Sequence, residues 1–394
     1  MTNIALQRTN IRDLSPEEIQ QLIDKNRAVY TQFYDAAYTD SMESNLFQPL
    51  NAVYFRAKMV NFEEYPEPMN NDKPLIFISN HSGMAFPWDA LVFGASLYAN
   101  SKKKGRPSIR PLTAPMLSAT YLMNPYLIPL MWKRLGGMDA TSLNFETMMY
   151  FNEADVLIYP EGVPGIGKGF NRRYELQRFS SSFVRMSLKH RTDVIPVLTI
   201  NAEYINPHSY RSKWLNKLVN KIGLPFFPIC ILTVLMFIQP WIFYFGLPAN
   251  LIYVRGRRIK PYEMTDKNFE DLTMDELRAI TEKVRAAMQI QLTEAVEVHG
   301  KQPYKWRELF KAQLKGIKRF WFFLPMFWPF LFAEHERQYE RFQKDGTPVN
   351  MGFGLLHFLW VLVRHAFSFF YFLPIIGWIP LLIRGYSKRN WKDK

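Results

Sequence analysis

Residues 78–90, ISNHSGMAFPWDA, place a histidine and an acid just past the end of a short apolar run. Residues 74–79 (PLIFIS) read as a buried strand. Asn80 and His81 follow at once, then Ser82 and Gly83, and seven residues separate His81 from Asp89. A neutral imidazole at a strand end takes a proton from a hydroxyl readily, because its ordinary pKa lies near neutrality. A carboxylate on the other ring nitrogen fixes the tautomer and stabilises the imidazolium. Asp89 falls in the first turn of a helix opening near Pro87, where the helix N-terminus favours an ionised acid. Ser82 and Gly83 keep the turn small and leave a substrate room. The same pair is equally consistent with a polar turn followed by a helix-start acid, and the pair alone leaves both open.

A second candidate stretch is residues 156–179, VLIYPEGVPGIGKGFNRRYELQRF. Another buried strand ends on Glu161-Gly162 and enters a glycine-rich loop carrying Lys168, Arg172, Arg173 and Arg178. Backbone N–H groups in such a loop, with Lys or Arg beside them, suit a phosphate. Residues 162–168 also fit the G-x-x-x-x-G-K pattern of nucleotide-triphosphate loops. Residue 169 is Gly, where that pattern needs a Ser or Thr for Mg²⁺, and Pro164 lacks an N–H the cradle requires. A triphosphatase is therefore disfavoured.

The elements that must hold these residues alternate. Residues 54–60, 74–79, 108–114, 154–160, 192–202 and 250–259 read as strands. Helices are expected after Pro87, over 141–153, over 176–190 and over 272–300, where Thr273 and Glu276 form a capping box and Gly300 is a plausible cap. Residues 15–38 read as an amphipathic helix, with Ser15 at the N-cap, Pro16 at N1 and Glu18 at N3. Short apolar strands with helices between them predict an α/β fold with a mostly parallel central sheet flanked by helices.

The chain has 394 residues, of which 48% are apolar and 16% aromatic, and its formal charge is +14. That size fits one large domain plus an appendage, or two domains. The charge favours anionic partners: nucleic acid, an anionic membrane surface, or phosphorylated and CoA-type substrates. The basic residues flank apolar runs and no nucleic-acid-binding motif is present, so nucleic acid is not expected. The histidines at 190, 208, 299, 335, 357 and 365 show no metal-ligand spacing, so no metal is expected. Cys230, the single cysteine, excludes an internal disulfide and sits in an apolar run that suits packing better than nucleophilic chemistry. The N-terminus, polar and mixed in charge, does not look like a signal peptide.

NHSG with PWD, then YPEG, then VIPV, in that order between residues 80 and 197, resembles the glycerolipid acyltransferase family of the lysophosphatidate acyltransferase type. Its motifs are N-H-x-x-x-x-D, F-P-E-G-x-R and an I-P-V strand. The longer run with GIGK and RYELQRF is similar to a bacterial branch of that family. The resemblance implies acyl transfer from acyl-CoA or acyl-carrier protein to a hydroxyl of a lysophospholipid or glycerolipid. It implies His81 as general base and Asp89 as its orienter, with Asn80, Ser82, Gly83, Glu161, Gly162, Lys168 and Arg178 around the substrate. It implies no cofactor beyond the acyl carrier, no metal and no covalent acyl-enzyme. Three departures stand out. The gap between His81 and Asp89 is longer than the family's four. Pro164 replaces the Arg two residues past E-G. The run LGGMDATSLN has no Arg after Gly136, where the family's second motif usually carries one. The last two leave phosphate recognition to Lys168 or Arg178, or point to a neutral alcohol or amino-acid lipid acceptor. A non-catalytic membrane-binding protein would need no His81.

Two regions depart from a globular pattern. Residues 223–254 carry no charge but are cut by prolines at 225, 228, 240 and 248. We expect residues 223–250 to dip into a membrane as a loop rather than span it. The aromatic-rich runs 320–333 and 351–383, flanked by basic clusters, fit interfacial anchoring. The expected division is an N-terminal helical segment (1–50), an acyltransferase domain (51–300) and a helical membrane-associated region (301–394). The expected location is the cytoplasmic face of a bacterial inner membrane, with the bilayer itself as a partner.

Overall fold

In a computed structural model, residues 14–67, 72–81, 83–103, 108–118, 120–221 and 224–386 are described. Short extended segments form the strands. These are β1 (Lys58–Val60), β2 (Ile76–Ser79), β3 (Ser108–Thr113), β4 (Met138–Asp139), β5 (Ala154–Ile158), β6 (Val194–Ile200), β7 (Tyr210–Arg211), β8 (Pro228–Ile229) and β9 (Ile252–Arg255). Seven of them make one sheet in the order β1-β9-β6-β2-β5-β3-β4, while β7 and β8 form a separate hairpin. Every neighbouring pair in the sheet is parallel except β6 with β9. The expected α/β architecture is therefore present, and each of the six predicted strands contains an observed one, although Tyr54 and Phe55, expected in the first, end a helical turn instead. The two-residue strand β4 carries too little pattern to be seen in the sequence.

The principal helices are α1 (Pro16–Asn26), α2 (Trp88–Lys103), α3 (Ser142–Phe151), α4 (Ser182–His190), α5 (Lys213–Asn220), α6 (Ile231–Ile238), α7 (Met274–His299), α8 (Trp306–Lys315), α9 (Trp328–Asp345), α10 (Leu355–Arg364) and α11 (Trp378–Gly385). The sheet is covered on both faces, and the alternation of side chains along β2 sorts them. Ile76 and Ile78 join a core with Met148, Phe183, Val184, Val284 and Met288 of α3, α4 and α7. Phe77 joins the opposite core with Phe93 of α2 and the aromatic side chains Phe55, Trp321 and Trp328.

Three expectations are corrected here. The helix predicted over 15–38 stops at Asn26, whose buried amide donates to Asn144 Oδ1 and Thr147 Oγ1 at 2.9 Å each. A second helix (Ala36–Met42) starts where Asp35 caps Tyr38 N–H at 2.9 Å. Of the helix predicted over 176–190, only Ser182–His190 forms; Ser180 N–H donates instead to Pro160 O at 2.8 Å. The run 320–333, read as interfacial, is largely buried: Trp321, Trp328, Phe330, Leu331 and Phe332 belong to the core against Trp88 and Phe55.

The other apolar runs leave side chains outside. The expected loop begins at Gly223, which lies outside the described residues; beyond it α6 exposes Ile231, Val234 and Phe237. Helices α10 and α11 expose Leu356, Trp360, Val363, Ile379 and Ile383. These segments meet: Ile375 N–H donates to Ile238 O at 2.9 Å and Trp378 Nε1 donates to Met236 O at 3.0 Å. Among the described residues no single helix is long and apolar enough to cross a membrane. One pair, Leu355–Arg364 with Ala366–Phe372, passes by length and composition but is bent by 83°.

Candidate active site

Strand β2 lies between β6 and β5, and His81 follows its C-terminal end. A polar clasp sets that end in register: Asn80 Nδ2 donates to Thr199 O at 2.8 Å, and Thr199 N–H donates to Asn80 Oδ1 at 2.7 Å. Asn80 thus serves the β2–β6 seam rather than the cavity wall. Gly83 adopts φ +108°, and a Cβ there would sit 2.6 Å from Ala202 O, so this turn needs glycine. Its neighbour Met84 is fixed on two sides: its N–H donates to Ile166 O at 3.1 Å and its carbonyl accepts Asn206 Nδ2 at 2.9 Å. Ser82 lies outside the described residues.

The long gap closes. Helix α2 begins at Trp88, whose buried indole N–H donates to Tyr244 O at 2.7 Å, and Asp89 stands in its first turn. Asp89 Oδ2 lies 2.9 Å from His81 Nδ1. A carboxylate only accepts, so Nδ1 carries the hydrogen, and in the neutral imidazole that tautomer leaves the lone pair on Nε2. Asp89 is 1% exposed and His81 15% in their side chains, which seals the acid from water and leaves the imidazole reachable. Tyr159 packs its ring 4.5 Å from the His81 ring. Tyr159 belongs both to the YPEG motif and to the strand expected over 154–160; its contact with His81 follows from β5 pairing beside β2, which the sequence does not display.

Glu161 reaches the same turn from β5. Its Oε1 accepts His81 N–H at 3.1 Å and its Oε2 accepts Gln177 N–H at 2.6 Å. Burial pushes the Glu161 carboxyl up, against the pull of Lys168 and of those two N–H groups. Gly162 adopts φ +56°, turning the chain immediately afterwards. Lys168 is not on the cavity wall. Its side chain is 1% exposed, and Nζ lies 3.6 Å from Glu203 Oε1. Arg178 is exposed and lines the cavity; Arg185 of α4 lines it too and was missed, because its place on the wall depends on where α4 begins.

These residues open onto one cavity of about 1160 Å³. Its wall joins His81, Glu161, Gly162 and Arg178 to Phe86, Leu112, Phe145, Phe226, Met236 and Phe243. A base on the wall of a mostly apolar space suits deprotonation of a hydroxyl on an apolar substrate. Among the described residues no group of three His, Cys, Asp or Glu side chains is arranged to hold a metal ion.

Residues 60–200 match the family model described as Acyltransferase. The chain is 26% identical over 197 residues to an uncharacterized protein of Mycobacterium tuberculosis (strain H37Rv), covering 50% of this chain and 51% of that protein. An uncharacterized protein of Mycobacterium leprae is 26% identical over 177 residues, covering 45% and 44%. The chain thus spans about half the length of the curated relatives it matches. No solved structure matches it.

Proposed function

We propose that this chain, whose residues 60–200 match the acyltransferase family model, moves a fatty acyl group from a thioester carrier, acyl-CoA or acyl-carrier protein, to the hydroxyl of a lysophospholipid or glycerolipid. The observation that carries this is the His81–Asp89 pair at 2.9 Å on the edge of the apolar cavity. The acceptor O–H gives its proton to His81 Nε2. Its oxygen bonds to the thioester carbonyl carbon, the C–S bond breaks, and the proton leaves on the carrier's sulfur. Asp89 holds the ring and stabilises the imidazolium. Glu161 acts from behind as a positioning residue, holding the His81 backbone.

The enzyme works at a bilayer surface. Support comes from the outward apolar side chains of α6, α10 and α11, with Leu356 83% and Ile383 70% exposed, and from the charge of +14. A neutral acceptor is the second reading. It is favoured by the burial of Lys168 against Glu203, which leaves Arg178 and Arg185 as the cations on the described cavity wall. The test is a panel of lysolipid, glycerolipid and neutral-alcohol acceptors with labelled acyl-CoA and acyl-carrier protein, using detergent-purified protein and products identified by mass. Acylation of at least one panel member, dependent on His81, is expected. No acylated product from any donor would favour a non-catalytic membrane protein.

A further inference from the structure

A second recess of about 370 Å³ lies between the loop after β5 and α5. Lys213, Asn216, Lys217 and Asn220 line it at helical spacing, one stripe of α5, and Arg211 joins them. The asparagines build the opposite wall: Asn216 Oδ1 accepts Phe227 N–H at 2.8 Å, and Asn220 Nδ2 donates to Leu224 O and Pro225 O at 2.7 and 2.9 Å. The lysines on the same stripe are not used in this way. No acidic side chain is among the described lining residues, and none of the three cations pairs with an acid among the described residues. Val163, Pro164, Pro225 and Phe226 belong to both this recess and the cavity that holds His81. The apolar side of α5 points elsewhere, with Trp214 71% exposed.

We propose that this recess holds the phosphates of coenzyme A, so that the acyl donor is an acyl-CoA. The inference rests on the acyl-transfer reading above. A thioester donor must place its sulfur near His81 and its handle outside the apolar cavity. The handle of coenzyme A is a compact polyanion of pyrophosphate and ribose phosphate, and three unpaired cations in a small adjoining recess complement it through charge-assisted hydrogen bonds. An acidic carrier protein would instead need a broad, exposed cationic face.

The test uses the full-length protein in detergent. Titration calorimetry with adenosine 3′,5′-bisphosphate reads the recess without turnover. Binding is expected, and Lys213→Ala and Lys217→Ala should each weaken it about tenfold, the scale of one charge-assisted contact. In transfer assays the same variants should raise KM for acyl-CoA about tenfold with kcat nearly unchanged, and should leave KM for an acyl-pantetheine donor where it was. Circular dichroism verifies that the variants fold. Nucleotide binding without transfer to any acceptor would refute the reaction and keep this site. The proposal is overturned if the bisphosphate does not bind, or if both variants bind it normally. It is also overturned if they impair use of acyl-carrier protein but not of acyl-CoA, or if they lose only binding to anionic vesicles.

Discussion

At the scale of residues, Asp89 acts through a single ring nitrogen, and its burial makes that contact strict. Asp89→Asn would present an amide to Nδ1 and favour the wrong tautomer, so kcat should fall by about 10²–10⁴ while acceptor KM changes little; steady-state kinetics on a folded variant reads this. Lys168 has a different fate. It lies between the buried acids Glu161 and Glu203, so Lys168→Met should lower stability by about 3–5 kcal/mol in chemical denaturation, by leaving those carboxylates uncompensated. A variant as stable as the wild type but with raised KM would restore Lys168 to the substrate. His81 and Asp89 were legible in the sequence because strand end, turn and helix start are local features. The burial of Lys168 was not, because Glu203, which arrives after β6, pairs with it only in the folded chain.

At the scale of elements, strands and capped helices were legible for the same local reason, and breaks were legible only where proline or glycine marks them. The interruption after Asn26 depends on Asn144 and Thr147 of α3, partners remote in sequence. Burial of the run 320–333 depends on Trp88 and Phe55 as receiving surfaces, and apolar sequence reads alike for a core and a membrane. Helix α9, which begins in that run, carries a titratable device. His335 meets Ser41 at 2.9 Å, and burial pushes its imidazole down to about 3, with Arg134 adding to the effect. An unfolded histidine titrates near 6.5. Between these values the unfolded chain binds a proton that the native chain refuses. Stability therefore falls as pH drops from about 6.5 towards 3, by up to about 1.4 kcal/mol per pH unit. His335→Gln should flatten that slope in thermal melts across roughly pH 4–7; an unchanged slope would assign it to other groups.

At the scale of the whole molecule, the outward apolar surfaces of α6, α10 and α11 and the basic charge predict bilayer binding with two components. Apolar burial contributes roughly 25 cal/mol per Å² and resists salt, while cations near an anionic surface contribute about 1 kcal/mol each and do not. In flotation assays the full chain should remain with anionic liposomes at high salt. The triple variant Leu356→Asp, Trp360→Asp, Ile379→Asp should leave a weaker, salt-sensitive remainder. A full chain that ignores liposomes would make these faces a protein interface. The most direct measurement of the whole proposal is mass-resolved acyl transfer by wild-type and His81→Ala proteins across the acceptor panel, with the fold of both verified by circular dichroism. Wild-type protein should yield an acylated acceptor and free carrier thiol in equal amounts, and His81→Ala should lose about 10²–10⁴ of that rate while remaining folded. A folded His81→Ala protein that acylates its acceptor at the wild-type rate would contradict the assignment of this pair as the catalytic base and its orienter.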